Sequence, residues 1–531
     1  MMSDQNHDIV IIGGGSNGLT CGAYLAKAGQ NVLVLERRSL AGGGCVTEEL
    51  TLPGFKHNPH SIQHVWLQLG PVFSDLELEK YGASYVFPEV QYAAVFPDGR
   101  CLVLYRDMER TIQEIARFSE HDAHVYRDFC ENYRGMVDGA RTFLYSQPSA
   151  PWLGWSAMME TPAGAELVKT SLTSIRSAVY DLFESPEVRG WILLYMNQTG
   201  TDDLPGSGTF LPPLFPITHY AQGVGCAIGG SSVTAEALAK VIEVNGGTVL
   251  RNAHVSKVLL DGQHASAVVL EDGTQFRARK AVVSNVEPKQ TFFEMIGKEH
   301  LDPFFIRQVK RFRHDEFTTF CGHLAVNDAP QWRAAGFNPD VLKSWAVGVM
   351  PDQKADDAYC QLWADIRTGK ASKTFMLYVL TPSLVDPSQA PEGKHSMLLW
   401  QPAVFDLADG ADKWDEIKED YVRELYHWIE PYAPNMTREN ILKIEADSPL
   451  DLERRNISMW KGSMLGGERT QDQLTVFRPF YGYRPYRTPF VSLYLCGPST
   501  HPEGGLSGAC GYNAATAIAD DLSLEKWWEH Y

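Results

Sequence analysis

Three glycines, Gly13, Gly15 and Gly18, and one carboxylate, Glu36, are the residues of this chain whose spacing most directly implies chemistry. In a G-x-G-x-x-G pattern the first glycine permits a tight turn and the second lets the backbone approach a pyrophosphate. The third lets the next helix lie close to the preceding strand. Ser16 opens that helix, whose positive N-terminal end then faces the phosphates. Glu36 can accept hydrogen bonds from a ribose diol and would repel a 2′-phosphate. Together these residues predict an adenine dinucleotide site. A second set consists of imidazoles: His57, His60 and His64 follow the glycine run Gly42–Gly44, and His501 lies in a glycine-rich loop near the other end. Imidazole titrates near neutrality, so His60, His64 and His501 are candidates for proton transfer, each set against the plainer reading of a ring that hydrogen-bonds backbone. Glu48 and Glu49 read as solvated or structural carboxylates. Cys45 sits where dithiol reductases keep a redox pair, but the residue five positions later is Leu50, so a dithiol mechanism lacks its second sulfur.

The elements that must position these residues are legible around them. Ile9–Ile12 has the length and branching of a buried parallel strand, Ser16–Ala28 reads as a helix stopped by Gly29, and the apolar run Val32–Leu35 delivers Glu36 at its carboxyl end. A second block runs from Ala227 to Asn285: a helix over Val233–Val244, then two strands with tight turns, then a strand ending in AVVSN. It predicts a small antiparallel insert returning to a parallel strand. GVGCAIGG, residues 223–230, has the wrong spacing for a second nucleotide turn and no apolar strand before it, so a nicotinamide domain is not expected. Residues 106–144 are helical in pattern, residues 146–216 mix helices with proline-rich breaks, and Trp414–Tyr432 is the clearest helix of a long stretch without a mechanical motif. Near the end, a strand over Val491–Cys496 is followed by Gly497, Gly504, Gly505 and Gly508 and an alanine-rich helix.

The whole chain narrows the classes. Its 531 residues exceed one small domain, and 47 basic against 65 acidic residues give a formal charge of −18, which argues against a partner bound by neutralising its phosphates, such as nucleic acid. Nine cysteines are scattered without a zinc-type cluster, so no metal is expected. No leader-like run precedes the first strand and no long apolar run interrupts the chain, so a soluble, cytoplasmic protein is expected, touching a membrane at most peripherally.

Two strand, glycine-loop, helix units far apart in sequence are explained by one long ligand, and FAD fits. The pieces VIIGGGSNGL, VLVLE, GGG at 42–44, GFKHNPHS, LGPVFSDLELEKYG, AVVSN and LYLCGPSTHPEGGLSGACGYNAA resemble the phytoene desaturase and carotenoid cis-trans isomerase superfamily of FAD flavoproteins, and within it the pyridine nucleotide-disulphide oxidoreductase domain-containing protein 2 branch. The resemblance implies a glutathione-reductase-like α/β fold: a Rossmann FAD domain from 1–100, 225–295 and 475–531, and an inserted α+β substrate domain from 101–224 and 296–474. The cofactor residues it implies are Gly13, Gly15, Ser16, Gly18, Glu36, Arg37, Gly43, Gly44, Val255, Gly497, Gly504, Gly505 and Leu506. It brings His60, His64 and His501 to the border of the isoalloxazine. The sequence departs from the family at Glu503, where a glycine is usual, and at His60, where carotenoid enzymes usually carry glycine. Since the turn 500–508 would lie beside the flavin, Glu503 is expected to point away from it, and the helix following Gly505 to aim its N–H groups at the ring.

The expected activity is a dehydrogenase or desaturase that moves a hydride from a hydrophobic, alicyclic or isoprenoid-like compound to flavin N5 and creates a C=C bond. A redox-neutral isomerase using reduced FAD, or a flavin-binding protein acting through a partner, are the alternatives. Oxygen, a quinone or another redox protein stays open as electron acceptor, and oligomeric state is not legible.

Overall fold

The computed structural model describes residues 6–198, 203–315, 318–352 and 354–529. Its first sheet has seven strands, in the order Thr248–Leu250, Val32–Leu35, Asn6–Ile12, Gln275–Ser284, His264–Leu270 and Val255–Asp261, with Leu493–Leu495 pairing the far half of Gln275–Ser284. The long strand does two jobs. Its first residues join the antiparallel insert, and its last, Val282–Ser284, run parallel to both Val10–Ile12 and Leu493–Leu495.

Alternation along Asn6–Ile12 explains why the sheet is covered on both faces. Ile9 and Ile11 pack with the helices Ser16–Lys27, Ser232–Val244 and Ala509–Leu522, while Val10 and Ile12 pack with the insert and with Phe292 and Phe305 on the other side. All four are essentially fully buried.

A second seven-stranded sheet is ordered Ile441–Asp447, Thr318–Val326, His395–Ala403, Leu377–Leu380, Ala346–Val349, Val90–Val95 and Cys101–Tyr105. Val90–Val95 differs from expectation. It forms a hairpin with Cys101–Tyr105, and every residue of both strands is buried in the second core, so a division at residue 100 cuts through one packed unit. A three-stranded sheet of Gln63–His64, Gly225–Ala227 and Tyr85–Val86 is the third; the GVGCAIGG segment supplies its middle strand and no nucleotide turn. Among the described residues no helix is long and apolar enough to cross a membrane.

Candidate functional site

The carboxyl ends of Asn6–Ile12, Val32–Leu35 and Gln275–Ser284 open into one cavity of about 390 Å³, where an α/β sheet of this kind holds its ligand. Gly13, Gly15, Ser16, Glu36, Arg37, Gly43, Gly44, Val255, Gly504, Gly505 and Leu506 all line it. Gly18 and Gly497 do not, and the reason is backbone packing. A Cβ on Gly18 would stand 2.3 Å from the Gly13 carbonyl oxygen, and one on Gly497 would stand 2.9 Å from that of Asn285. These two glycines shape the site from behind.

The two glycine runs meet backbone to backbone. The Gly42 N–H donates to the Gly14 oxygen at 2.7 Å, and a Cβ on Gly43 would lie 3.0 Å from the Gly15 Cα. Glu36 is buried, and its carboxylate accepts the Gly14 N–H at 2.9 Å and the Arg38 N–H at 2.7 Å. It therefore ties the first turn to the chain beyond the second strand, with lone pairs left over for a ribose diol. Removing it by Glu36→Ala is expected to weaken FAD retention by about 1.5–3 kcal/mol, the worth of hydrogen bonds to a charged group. The check is FAD release measured by fluorescence; unchanged retention counts against this placement.

Several buried polar atoms around the nucleotide end have no hydrogen-bond partner among the described residues: Asn17 Oδ1, Arg38 Nη1, Asn285 Oδ1 and both ring nitrogens of His60. Each of these residues lines the cavity. Such atoms are costly when left unpaired, so the cavity suits a polar ligand at this end that brings donors for the two amide oxygens and acceptors for the guanidinium. Asn285 also donates through Nδ2 to the Gly13 oxygen at 3.1 Å. It ends the motif AVVSN, a signal visible in the sequence that by itself assigns no role to the asparagine.

Of the three candidate histidines, the cavity receives only His60. The His64 ring is held between Ser61 Oγ and Tyr85 Oη, each at 2.9 Å, and His501 donates through Nε2 to the Phe143 carbonyl at 2.9 Å. Neither of those two rings lines the cavity; His501 is hydrogen-bonded to backbone and His64 to two side-chain hydroxyls. Burial pushes all three down, His60 to about 3 and His64 and His501 to about 4, and pushes His57 down as well. They are neutral at neutral pH.

The unfolded chain binds protons on these rings below about pH 6.5 while the folded chain does not. Stability is thus unaffected above that pH and falls as the pH drops from there toward 4 and 3. His64 alone is expected to contribute about 3 kcal/mol to that loss at the acid end. Thermal melts from pH 7 to pH 4 check this: His64→Gln should flatten the slope, and an identical slope in the variant would refute the assignment.

Cys45 lines the cavity but is buried, donates to the Ser231 oxygen at 3.1 Å, and is pushed up to about 12 by burial. A thiolate is not available there. Cys45→Ser is expected to keep turnover and flavin content, and loss of turnover with flavin intact would reopen a thiol mechanism.

The turn before the last helix differs from expectation in two ways. The helix begins at Ala509, capped by Gly508, so it does not follow directly on Gly505. Glu503 lines the cavity, and its carboxylate accepts from Nη2 and Nε of Arg469, at 2.7 and 2.8 Å. The arginine that pairs with it, 34 residues earlier, is not legible in the sequence because no motif surrounds it.

A family model described as FAD dependent oxidoreductase matches residues 8–197. Over 97% of this chain and 94% of its own length, pyridine nucleotide-disulfide oxidoreductase domain-containing protein 2 of Rattus norvegicus is 30% identical. A limonene dehydrogenase subunit of Castellaniella defragrans is 28% identical over 98% of this chain and 96% of its own. The lycopene-forming phytoene desaturase of Pantoea ananas is 25% identical over 96% and 99%. The chain belongs to the phytoene desaturase superfamily of FAD flavoproteins. Like other members of the superfamily it is an FAD-dependent oxidoreductase, with a Rossmann-type FAD domain in an α/β fold, and FAD is the cofactor that the glycine cradle and the unpaired polar atoms fit.

Proposed function

We propose that this chain dehydrogenates a hydrophobic, alicyclic or isoprenoid-like compound, introducing a C=C bond. The observation that carries the reading is the two-faced cavity. Beyond the glycine cradle its wall includes Tyr195, Phe210, Leu214, Ile217, Leu380, Leu398 and Trp400, supplied by the second sheet, the short turn of helix Ser207–Phe210 and the helices Pro186–Gln198 and Leu211–Tyr220. An apolar wall excludes water and rewards apolar area in the ligand.

When bound, FAD supplies the hydride acceptor at N5. The residues of the chain do the rest. The apolar wall holds the reacting C–H bond in a fixed orientation, and exclusion of water protects the transfer from side reactions. Of the three candidate histidines only His60 lines the cavity, and burial, which pushes it down to about 3, holds its ring neutral and leaves it too weakly basic to take the departing proton. The names of two relatives, a limonene dehydrogenase subunit and a phytoene desaturase, are in keeping with a dehydrogenated isoprenoid. Electrons would leave to oxygen, a quinone or another redox protein.

The test is anaerobic bleaching of the purified flavoprotein against terpenes, cyclic ketones and cyclohexane carboxylic acids. Bleaching by at least one class, with an unsaturated product, is expected. Bleaching by none of them, with flavin fully bound, would sink the reading.

A further inference from the structure

An apolar helix exposed to water is an unbalanced element, and this chain carries one. From Thr142 to Met159 the sequence holds no charged residue, in a chain whose formal charge is −18. The helix Pro151–Met158 lies inside that run, and none of its eight residues is buried. Trp152 and Leu153 are 54% and 68% exposed, and Met159, just past the helix end, is 56% exposed. A helix that is apolar all round ordinarily lies inside a protein or against another apolar phase.

The apolar surface does not stop at this helix. The Trp152 ring meets Phe477 with centroids 6.2 Å apart, Phe477 meets Tyr481 at 6.5 Å, and Tyr481 meets Phe304 at 6.0 Å. Tyr481 and Phe304 are themselves 48% and 45% exposed. The rings form one continuous surface stripe built from three segments distant in sequence, and none of them lines the cavity. A contiguous exposed patch of this kind marks an interaction surface.

What the stripe meets follows from the charges beside it. Phe304 stands near the start of the helix Pro303–Arg311, whose opposite side, Phe305, Gln308 and Val309, is buried. Arg307 and Arg311 lie three and seven residues further on, on the face that carries Phe304, with Lys310 next to them, and all three cations are exposed. Arg307 stands 5.8 Å from the Phe304 ring, and among the described residues none of the three cations forms an ion pair. The acid at the head of this helix, Asp302, accepts the N–H groups of Phe304 and Phe305. Unpaired cations beside exposed rings, on a strongly negative chain, complement an anionic surface. In a bilayer, Trp and Tyr rings settle at the level of the headgroups, Leu and Met reach the acyl boundary, and Lys and Arg meet anionic lipid. A second copy of this chain docked patch to patch would set the same cations against each other.

We propose that this stripe docks the protein on an anionic lipid bilayer, with Trp152, Leu153 and Met159 entering the boundary between headgroups and acyl chains and Arg307, Lys310 and Arg311 meeting the lipid phosphates. The inference goes beyond the reaction and does not depend on which compound is oxidised.

The test is flotation of the FAD-loaded full chain with vesicles of phosphatidylcholine alone and of phosphatidylcholine mixed with phosphatidylglycerol. Binding to the mixed vesicles that weakens as salt is raised, and much weaker binding to phosphatidylcholine alone, are expected. Trp152→Gln combined with Leu153→Gln should reduce binding to the mixed vesicles about tenfold or more. Arg307→Gln and Arg311→Gln should each reduce it about fivefold. All four side chains are exposed, so flavin content and thermal midpoint should hold, and both are measured to show that the variants are folded. No binding to the mixed vesicles, equal binding to both kinds, or binding that either set of substitutions leaves unchanged overturns the inference. So does a wild-type dimer, seen by light scattering without vesicle binding, that Trp152→Gln with Leu153→Gln dissociates; the stripe would then belong to a second copy.

Discussion

Gly18→Ala is expected to strip the protein of FAD and to destabilise it by about 3 kcal/mol, at the upper end of what an overpacked methyl group costs. The added carbon would sit 2.3 Å from the Gly13 carbonyl oxygen and 2.9 Å from Asn285 Nδ2. The first of these is backbone, in the turn that connects Asn6–Ile12 to the helix Ser16–Lys27, and neither element can retreat. The strand is hydrogen-bonded on both sides, and the helix is packed against Ala509–Leu522, where a Cβ on Gly511 would already meet the Asn17 oxygen at 2.2 Å. Relief therefore comes from rotating the helix start, which displaces Gly15 and Ser16 from the cavity wall. The measurements are the flavin-to-protein absorbance ratio after purification and the thermal midpoint. Gly135→Ala is the control, because an added carbon there meets nothing within 4 Å and the backbone φ is −65°. A Gly18→Ala protein with stoichiometric FAD and the control's midpoint would refute the close-packing account.

How much of the structure is legible in the sequence follows from how local each signal is. The strand Val32–Leu35 reads with its final bounds, because a four-residue apolar run between Asn31 and Glu36 has no competing period. The insert is also legible, since its turns carry glycines at Gly262 and Gly273 with positive φ, which few other residues adopt. Val90–Val95 belongs to a different sheet from the one its place in the sequence suggests, for the opposite reason. Its partner Ala346–Val349 is some 250 residues away, and nothing local announces that pairing. The same distance hides the cavity wall. Arg469, Tyr378 and Trp400 converge from segments with no motif, while Glu503 sits inside a recognisable glycine loop that marks its place but not its orientation.

Residue 503 therefore bears on the last prediction, a pair of opposed shifts in flavin potential. Gly505 has φ +97°, and a Cβ there would meet only Trp66 Cδ1, at 3.8 Å. The space beside it belongs to the cavity. Among the described residues the N–H groups of Gly505 and Leu506 have no acceptor, whereas that of Gly504 is taken by the Leu465 oxygen at 2.9 Å. If the turn stands at the pyrimidine edge of the flavin, these two donors, rather than the first turn of a helix that starts at Ala509, face the negative charge that reduction places there. Gly505→Val would fill that space and strain the backbone, holding the ring away. The potential should fall, and the anaerobic reduction rate should drop roughly a hundredfold, the order of effect of losing one preorganised donor. Glu503→Gly acts in the other direction. It removes one carboxylate from the cavity wall, 2.7 Å from the Arg469 guanidinium, and so makes that wall less negative by one charge. A less negative wall favours the reduced, more negative state, so the potential should rise. Spectroelectrochemical titration of both variants, with FAD bound, decides the matter. Opposite shifts place the turn beside the flavin. If neither potential moves, the redox ring lies elsewhere in the cavity, and Gly505 and Glu503 shape the wall without acting on it.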